Sequence, residues 1–313
     1  MTQKLAIVFP GQGSQSVGML GDLYQHDSVK ATFAEASAAL GNDLWSLTAN
    51  GPEADLNETH RTQPALLTAS VAIWRLWQQQ GGAMPVYLAG HSLGEYSALV
   101  CAQVLSLGTA VKLVEQRGHY MQQAVPAGVG AMSAIIGLDD VAITKACAEA
   151  AQGEIVAPVN YNSPGQVVIA GHKAAVERAG ELCKAAGAKR ALPLPVSVPS
   201  HCALMRPAAE QLATDLAALT FNTPQLPVIN NVDVSIAIDS AAVKEALVRQ
   251  LYSPVRWTET IQWLASQGVT DVIEIGAGKV LSGLVKRIDK NLNTSSVNDQ
   301  ASLQSALTQL TQE

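Results

Sequence analysis

Short apolar runs alternate with longer amphipathic segments along most of the 313-residue chain. The runs at 4–9, 86–89, 227–232 and 271–275 have strand length and are rich in branched and aliphatic residues. Between them, apolar positions recur every three to four residues at about 17–25, 29–41, 61–80, 107–125, 204–218, 241–251 and 257–267, the period of a helix with one buried face. A further helix opens at Gly276-Ala277-Gly278 and reaches Ile288. Strands separated by helices of this length predict an α/β fold around a largely parallel sheet.

The rhythm changes after the linker-like stretch Val125-Pro126-Ala127-Gly128-Val129-Gly130. A strand at 131–136, a helix at 139–151, strands at 154–160 and 166–170, a helix at 173–186 and a strand at 188–194 give the order βαββαβ. That is the order of a ferredoxin-like split unit. Pro193, Pro195 and Pro199 mark the return. The chain therefore divides into a main α/β domain, 1–126 with 199–313, and an inserted subdomain, 127–198, with a substrate cleft expected between them. The final stretch, after about residue 288, carries no motif that bears on chemistry.

Composition narrows the class. Apolar residues make up 48% and charged residues 15% of the chain, too apolar for disorder and enough for a large core. No apolar run reaches the length of a membrane span, and Met1-Thr2-Gln3-Lys4 leads straight into a strand, so the expected location is cytoplasmic. Cys101, Cys147, Cys183 and Cys202 form no CxxC pair and no metal-ligand spacing; three lie in helical or helix-start segments, where a small buried thiol is expected. No metal site is expected. A net charge of −6 argues against generic nucleic-acid binding.

The most informative segment is Gly90-His91-Ser92-Leu93-Gly94, between the strand Val86–Ala89 and the helical run Glu95–Ala102. A serine at a tight strand-to-helix turn is held up at the sheet edge, and the glycines let the backbone close around it. The Leu93 amide opens the helix and points into the site with the positive end of the dipole behind it.

Such a serine needs a base. His119 points away from the apolar stripe of its helix (Ala110, Val111, Val114, Gly118, Met121) and is expected on the surface, as are His26, His60 and His172. His91 adjoins the serine in a sharp turn, where neighbours diverge. Elimination leaves His201, in Val198-Pro199-Ser200-His201. Arg117 lies about 60° from the centre of the same apolar stripe. A guanidinium facing the core needs an anion. Either one of the protein's own carboxylates or a substrate carboxylate, held bidentately, would serve. Gln12, in the loop Pro10-Gly11-Gln12-Gly13-Ser14-Gln15, could present an amide to an oxyanion; the loop lacks the Walker lysine and the GxGxxG spacing of a nucleotide cradle.

These residues together resemble the malonyl-CoA:acyl-carrier-protein transacylase family of dissociated fatty-acid synthesis. The resemblance rests on Phe9-Pro10-Gly11-Gln12-Gly13-Ser14-Gln15, Gly90-His91-Ser92-Leu93-Gly94-Glu95-Tyr96-Ser97-Ala98-Leu99, Gln116-Arg117-Gly118, Asn162-Ser163-Pro164, Pro199-Ser200-His201 and Glu274-Ile275-Gly276-Ala277-Gly278. It spans nearly the whole chain in order. It implies an α/β-hydrolase-like main domain with the ferredoxin-like insert. It also implies Ser92 as nucleophile, His201 as base, Arg117 on the malonyl carboxylate, and an oxyanion hole from Gln12 and the Leu93 N–H. The family uses a backbone carbonyl to orient the histidine, which falls at Gln250; Asn162 has a supporting place. Malonyl-CoA and acyl carrier protein are the implied partners, and no cofactor is needed.

A serine esterase or thioesterase shares GxSxG, but its usual order is serine, acid, then a histidine near the C-terminus. Here the favoured histidine is mid-chain. Acyl carrier proteins of this pathway are strongly acidic, so docking on a chain of net charge −6 calls for a local basic patch. The densest cluster is Lys279, Lys286, Arg287 and Lys290, with 279, 286 and 290 spaced to share one helix face; Lys189-Arg190 is a second pair.

Overall fold

The computed structural model describes residues 4–196 and 198–311. In chain order the first half holds β1 (Leu5–Phe9), α1 (Asp27–Leu40), α2 (Leu44–Asn50), α3 (Glu53–Leu56), α4 (Thr59–Gln79), β2 (Tyr87–Gly90), α5 (Leu93–Cys101) and α6 (Leu107–Ala124). A middle group follows: β3 (Gly130–Ile136), α7 (Asp140–Ala151), β4 (Val156–Ser163), β5 (Gln166–His172), α8 (Lys173–Ala185) and β6 (Arg190–Pro193). The remainder is α9 (Arg206–Ala218), β7 (Val228–Ile229), α10 (Ser240–Gln250), α11 (Trp257–Ser266), β8 (Asp271–Ile275), α12 (Val280–Ile288), β9 (Asn293–Val297) and α13 (Gln300–Thr311).

Five strands form a sheet in the order β7-β2-β1-β8-β9, parallel at every pairing. All five residues of β1 and of β8 are buried, as strands covered on both faces by helices must be. Alternation divides them between two cores. Leu5, Ile7, Phe9, Ile273 and Ile275 join a cluster with α4, α5 and α6, whereas Ala6, Val8 and Val272 pack with Trp257, Ile261 and Leu264 of α11 and with Leu281, Leu284 and Val285 of α12. Sequence-neighbouring strands lie on opposite sides of β1, so a crevice opens beyond the carboxyl ends of β1 and β2.

The middle group builds a separate antiparallel sheet in the order β4-β5-β3-β6. Ile135, Val167 and Ile169 pack under α7 and α8 on one face. Met132, Val159 and Val168 turn the other face toward Cys202, beside the crevice. β4 is hydrogen-bonded to the main layer through Val255: its N–H donates to Val159 O (2.8 Å), and its carbonyl accepts from Tyr161 N (3.0 Å).

Several expectations need correction. Residues 17–25 form turns and a single 3-10 turn at Leu23–Gln25, not a helix, because Gly18 and Leu20 take positive φ of 85° and 63°. α2 and α3 were not anticipated. The strand expected at 227–232 has only two paired residues. β4 begins and ends later than 154–160, which carries Asn162 into the strand. The stretch after 288 supplies β9, the edge of the main sheet, and α13. Val125–Val129 of the linker-like stretch is loop between elements, and Gly130 already begins β3. Among the described residues no helix is long and apolar enough to cross a membrane.

Candidate active site

The elbow is built by close backbone approach. A Cβ on Gly90 would lie 1.9 Å from the Gly94 carbonyl carbon, and one on Gly94 would lie 2.0 Å from Phe9 O. Only glycines let β2 turn this sharply into α5 against the end of β1. Ser92 between them sits at φ 52°, ψ −108°, a backbone region that non-glycine residues rarely occupy. Asn231, just after β7, holds it there: its Oδ1 accepts from Ser92 N (2.7 Å) and its Nδ2 donates to Gly90 O (2.7 Å). Leu93 is the first residue of α5, so its N–H precedes the helical ladder.

The Ser92 hydroxyl is 2.8 Å from His201 Nε2. The opposite ring nitrogen, Nδ1, is 2.7 Å from the main-chain carbonyl of Gln250. A carbonyl only accepts, so Nδ1 carries the hydrogen and Nε2 is the acceptor for the serine proton. His201 is buried, with a positive φ of 64°. Burial, followed by the charge of Arg117, lowers its pKa to about 3 and keeps the ring neutral at ordinary pH. His91 is not a competitor for this place. Its Nε2 lies 2.8 Å from Asn162 Oδ1, away from Ser92, and burial lowers its pKa as well.

Arg117 is 2% exposed. Its Nη1 donates to Gln63 Oε1 (2.7 Å), and its Nη2 to Gln250 Oε1 (3.0 Å) and, at 3.4 Å, to Ser92 Oγ. Its guanidinium carbon stands 5.3 Å from the Tyr96 ring centroid. Nε is buried without a hydrogen-bond partner, and among the described residues no carboxylate makes an ion pair with Arg117. A buried cation held by neutral amides and facing the Ser92 hydroxyl leaves its charge available to an anion that enters the crevice.

Gln12, Ser92, Leu93, Arg117, Met132, Asn160 and His201 line one cavity of about 110 Å³ at the junction of the two sheets. Gln12 is exposed on its rim, with Nε2 at 3.5 Å from Thr59 Oγ1, the weak end of hydrogen bonding. Asn162 is one strand residue away from Ser163, whose β5 partner Gln166 accepts from Arg287 Nη1 (2.6 Å). Lys279, Lys286 and Lys290 do not share one helical face as expected, because α12 ends at Ile288 and leaves Lys290 beyond it, and Lys279 stands at the cap. His119 is half-buried and stacks on His60 at 4.1 Å, so neither is the free surface histidine expected.

Four contributors escaped sequence reasoning: Gln63, Asn231, the Gln250 side chain and Glu95. Gln63 had a usable signal, a polar residue on the apolar face of α4 beside Leu66 and Leu67. Glu95 is fully buried beneath the elbow; its Oε2 accepts from Asn231 N (3.0 Å) and Gln250 Nε2 (2.8 Å), and burial raises its pKa to about 7. Among the described residues, no group of three or more His, Cys, Asp or Glu side chains is placed to hold a metal ion.

The acyl transferase domain family matches residues 6–305. The chain is 66% identical to the malonyl CoA-acyl carrier protein transacylase of Salmonella typhimurium, over 99% of this chain and 100% of that one. It superposes on an acyl carrier protein S-malonyltransferase from Vibrio cholerae with a TM-score of 0.95 at 69% identity, covering 97% and 99% of the two chains. A malonyl-transacylase solved in complex with its type II PKS acyl-carrier protein matches with a TM-score of 0.97 at 62% identity, covering 98% and 100%. With a serine–histidine pair at a GxSxG elbow and likeness along its whole length, the chain belongs to the acyl transferase domain family, among the malonyl CoA-acyl carrier protein transacylases.

Proposed function

We infer that this chain is a malonyl-CoA:acyl-carrier-protein S-malonyltransferase of fatty-acid biosynthesis, working through a malonyl ester on Ser92. One observation carries the assignment of roles: the hydroxyl bonded to His201 Nε2 also lies 3.4 Å from a buried guanidinium that has no carboxylate partner among the described residues. A thioester acyl group bearing its own carboxylate satisfies both at once.

In this reading Ser92 Oγ attacks the thioester carbonyl as His201 Nε2 takes its proton. The oxyanion is received by the Leu93 N–H and the Gln12 amide, each donor being worth about 3 kcal/mol where such holes have been dissected. The tetrahedral intermediate collapses, the C–S bond breaks, and the His201 proton goes to the departing CoA thiolate. The second half runs in mirror image: the carrier's pantetheine thiol gives its proton to His201, attacks the ester and releases Ser92. Arg117 holds the malonyl carboxylate throughout. That carboxylate also offsets the Arg117 charge, the second cause of the low His201 pKa, so substrate makes the ring a stronger base. Thioester exchange calls for no oxidant, reductant or metal.

The fold details belong to the same proposal. The order β4-β5-β3-β6 with α7 and α8 on one face supports reading the small sheet as a ferredoxin-like subdomain at 127–198, set into an α/β-hydrolase-like main domain of 1–126 and 199–313. Four buried, unpaired cysteines favour a reducing, cytoplasmic location. For the carrier protein we place docking at Lys286 and Arg287, with Lys279 and Lys290 flanking. Ile136 pairs with both Gln166 and Arg190, so the Gln166–Arg287 contact puts this group and Arg190 at one end of the small sheet, near Asn162 and the crevice.

The test is formation of malonyl-carrier protein from malonyl-CoA and holo acyl carrier protein. Transfer by the wild type and none by Ser92→Ala is expected. Release of free malonate in place of transfer would make the chain a thioesterase and overturn the reading.

A further inference from the structure

We propose that Glu95 is a positioning residue for malonyl selection: from beneath the elbow, its carboxylate holds the Gln250 amide so that the carbonyl end faces Arg117. This rests on the acyl-enzyme reading above and adds a residue to it.

Gln250 touches three parts of the site. Its main-chain carbonyl accepts from His201 Nδ1, its Nε2 donates to Ser92 O (3.1 Å), and its Oε1 accepts from Arg117 Nη2 (3.0 Å). A side-chain amide can sit either way round. Here Nε2 faces two acceptors, Ser92 O and Glu95 Oε2, while Oε1 faces a donor that can never accept. Turned over, the amide would set its oxygen against a carboxylate and its N–H groups against a guanidinium. Glu95 makes the reverse orientation costly, and Asn231 N, donating to the same oxygen, keeps the carboxylate in place.

The arrangement also separates two opposite charges by one neutral amide. Glu95 offsets the Arg117 charge without occupying the guanidinium, which therefore stays open to the malonyl carboxylate. A direct Glu–Arg pair would compete with substrate; a distant one would leave a buried cation uncompensated. The charged and titratable groups facing Glu95 are Arg117 from α6, Asp233 from the segment after β7, and Tyr96 on its own helix. Asp233 is held by Arg249 of α10 at 2.7 and 2.8 Å and stays ionised.

The experiment compares wild type, Glu95→Gln, Gln250→Met and the double variant for malonyl and acetyl transfer from pH 5 to 9. Glu95→Gln keeps the shape but not the charge. Its kcat for malonyl is expected to fall about tenfold, the scale of one hydrogen bond to a charged group, with a smaller fall for acetyl. Wild-type malonyl kcat/KM should decline as pH drops through neutrality, and this limb should flatten in Glu95→Gln. A limb owed to His201 instead would persist unchanged in Glu95→Gln, so the variant separates the two groups. Because Glu95 acts through Gln250, the double variant should be no worse than Gln250→Met alone. Equal losses for both acyl groups with the limb intact, or additive losses in the double variant, would overturn the proposal. If Glu95→Gln fails to fold, Gln250→Met decides alone: it must flatten the same limb. Labelling of Ser92 by malonyl-CoA, run in parallel, separates the two readings. Absence of label in wild type defeats the acyl-enzyme reading, whereas label with no Glu95 effect defeats only this one.

Discussion

Removing the Ser92 hydroxyl is expected to abolish malonyl transfer while leaving the melting temperature near that of the wild type, since the side chain contributes little packing at a half-exposed turn. His201→Ala should slow both half-reactions, measured separately by CoA release and by carrier loading, because one base serves each. Arg117→Ala should cost malonyl transfer about 2–5 kcal/mol in kcat/KM, the usual penalty for leaving one partner of a buried charge pair, and should cost acetyl transfer far less. An equal drop for both acyl groups would make Arg117 structural. Glu95 has a stability signature too. Its folded pKa of about 7 lies above the ordinary carboxylate value of 4.5, so the stability it confers is complete below pH 4.5 and is lost as pH rises to neutrality. Thermal melts of wild type and Glu95→Gln should therefore diverge between pH 5 and 8, with the wild type losing ground. Ser92, His201 and Arg117 were legible because each leaves a local mark: an elbow, a process of elimination, a helical phase. Glu95 and the Gln250 side chain left none. They meet across 155 residues, and no period or spacing encodes such a contact.

At the scale of elements, the site depends on how closely β1, β2 and α5 approach. Gly94→Ala would place a methyl 2.0 Å from Phe9 O, a backbone atom that cannot swing away. About 1–3 kcal/mol of destabilisation is expected, visible in denaturant melts, with loss of activity as Ser92 moves. Helices with uninterrupted apolar stripes, such as α6 and α11, were readable to within a residue or two. The failures share a cause, namely positions where tertiary contacts override local pattern. In 17–25 the buried Met19, Leu20 and Leu23 imitate helical spacing, but glycine conformation breaks the chain into turns. β4 carries register shifts at Pro158/Asn160 and Tyr161/Ser163 that spoil alternation. β7 stops after two residues because Asn231 leaves the sheet to brace Ser92 and Glu95. β9, with partly exposed polar positions at an edge, offers no apolar run.

For the whole molecule, a chain of net charge −6 must attract an acidic carrier through a local surface. Lys286→Glu combined with Arg287→Glu should raise the apparent KM for acyl carrier protein severalfold, more at low salt than at high, without changing malonylation of Ser92 by CoA. Unchanged carrier kinetics at low ionic strength would move docking elsewhere. The central claim is that a malonyl ester on Ser92 connects two half-reactions, and a chase on isolated acyl-enzyme tests it most directly. Enzyme labelled with radioactive malonyl-CoA and freed of CoA should carry label on the Ser92 peptide, stable in buffer, that passes to holo acyl carrier protein on mixing. Label on any other residue, or label lost to water at the same rate with and without carrier, would contradict it.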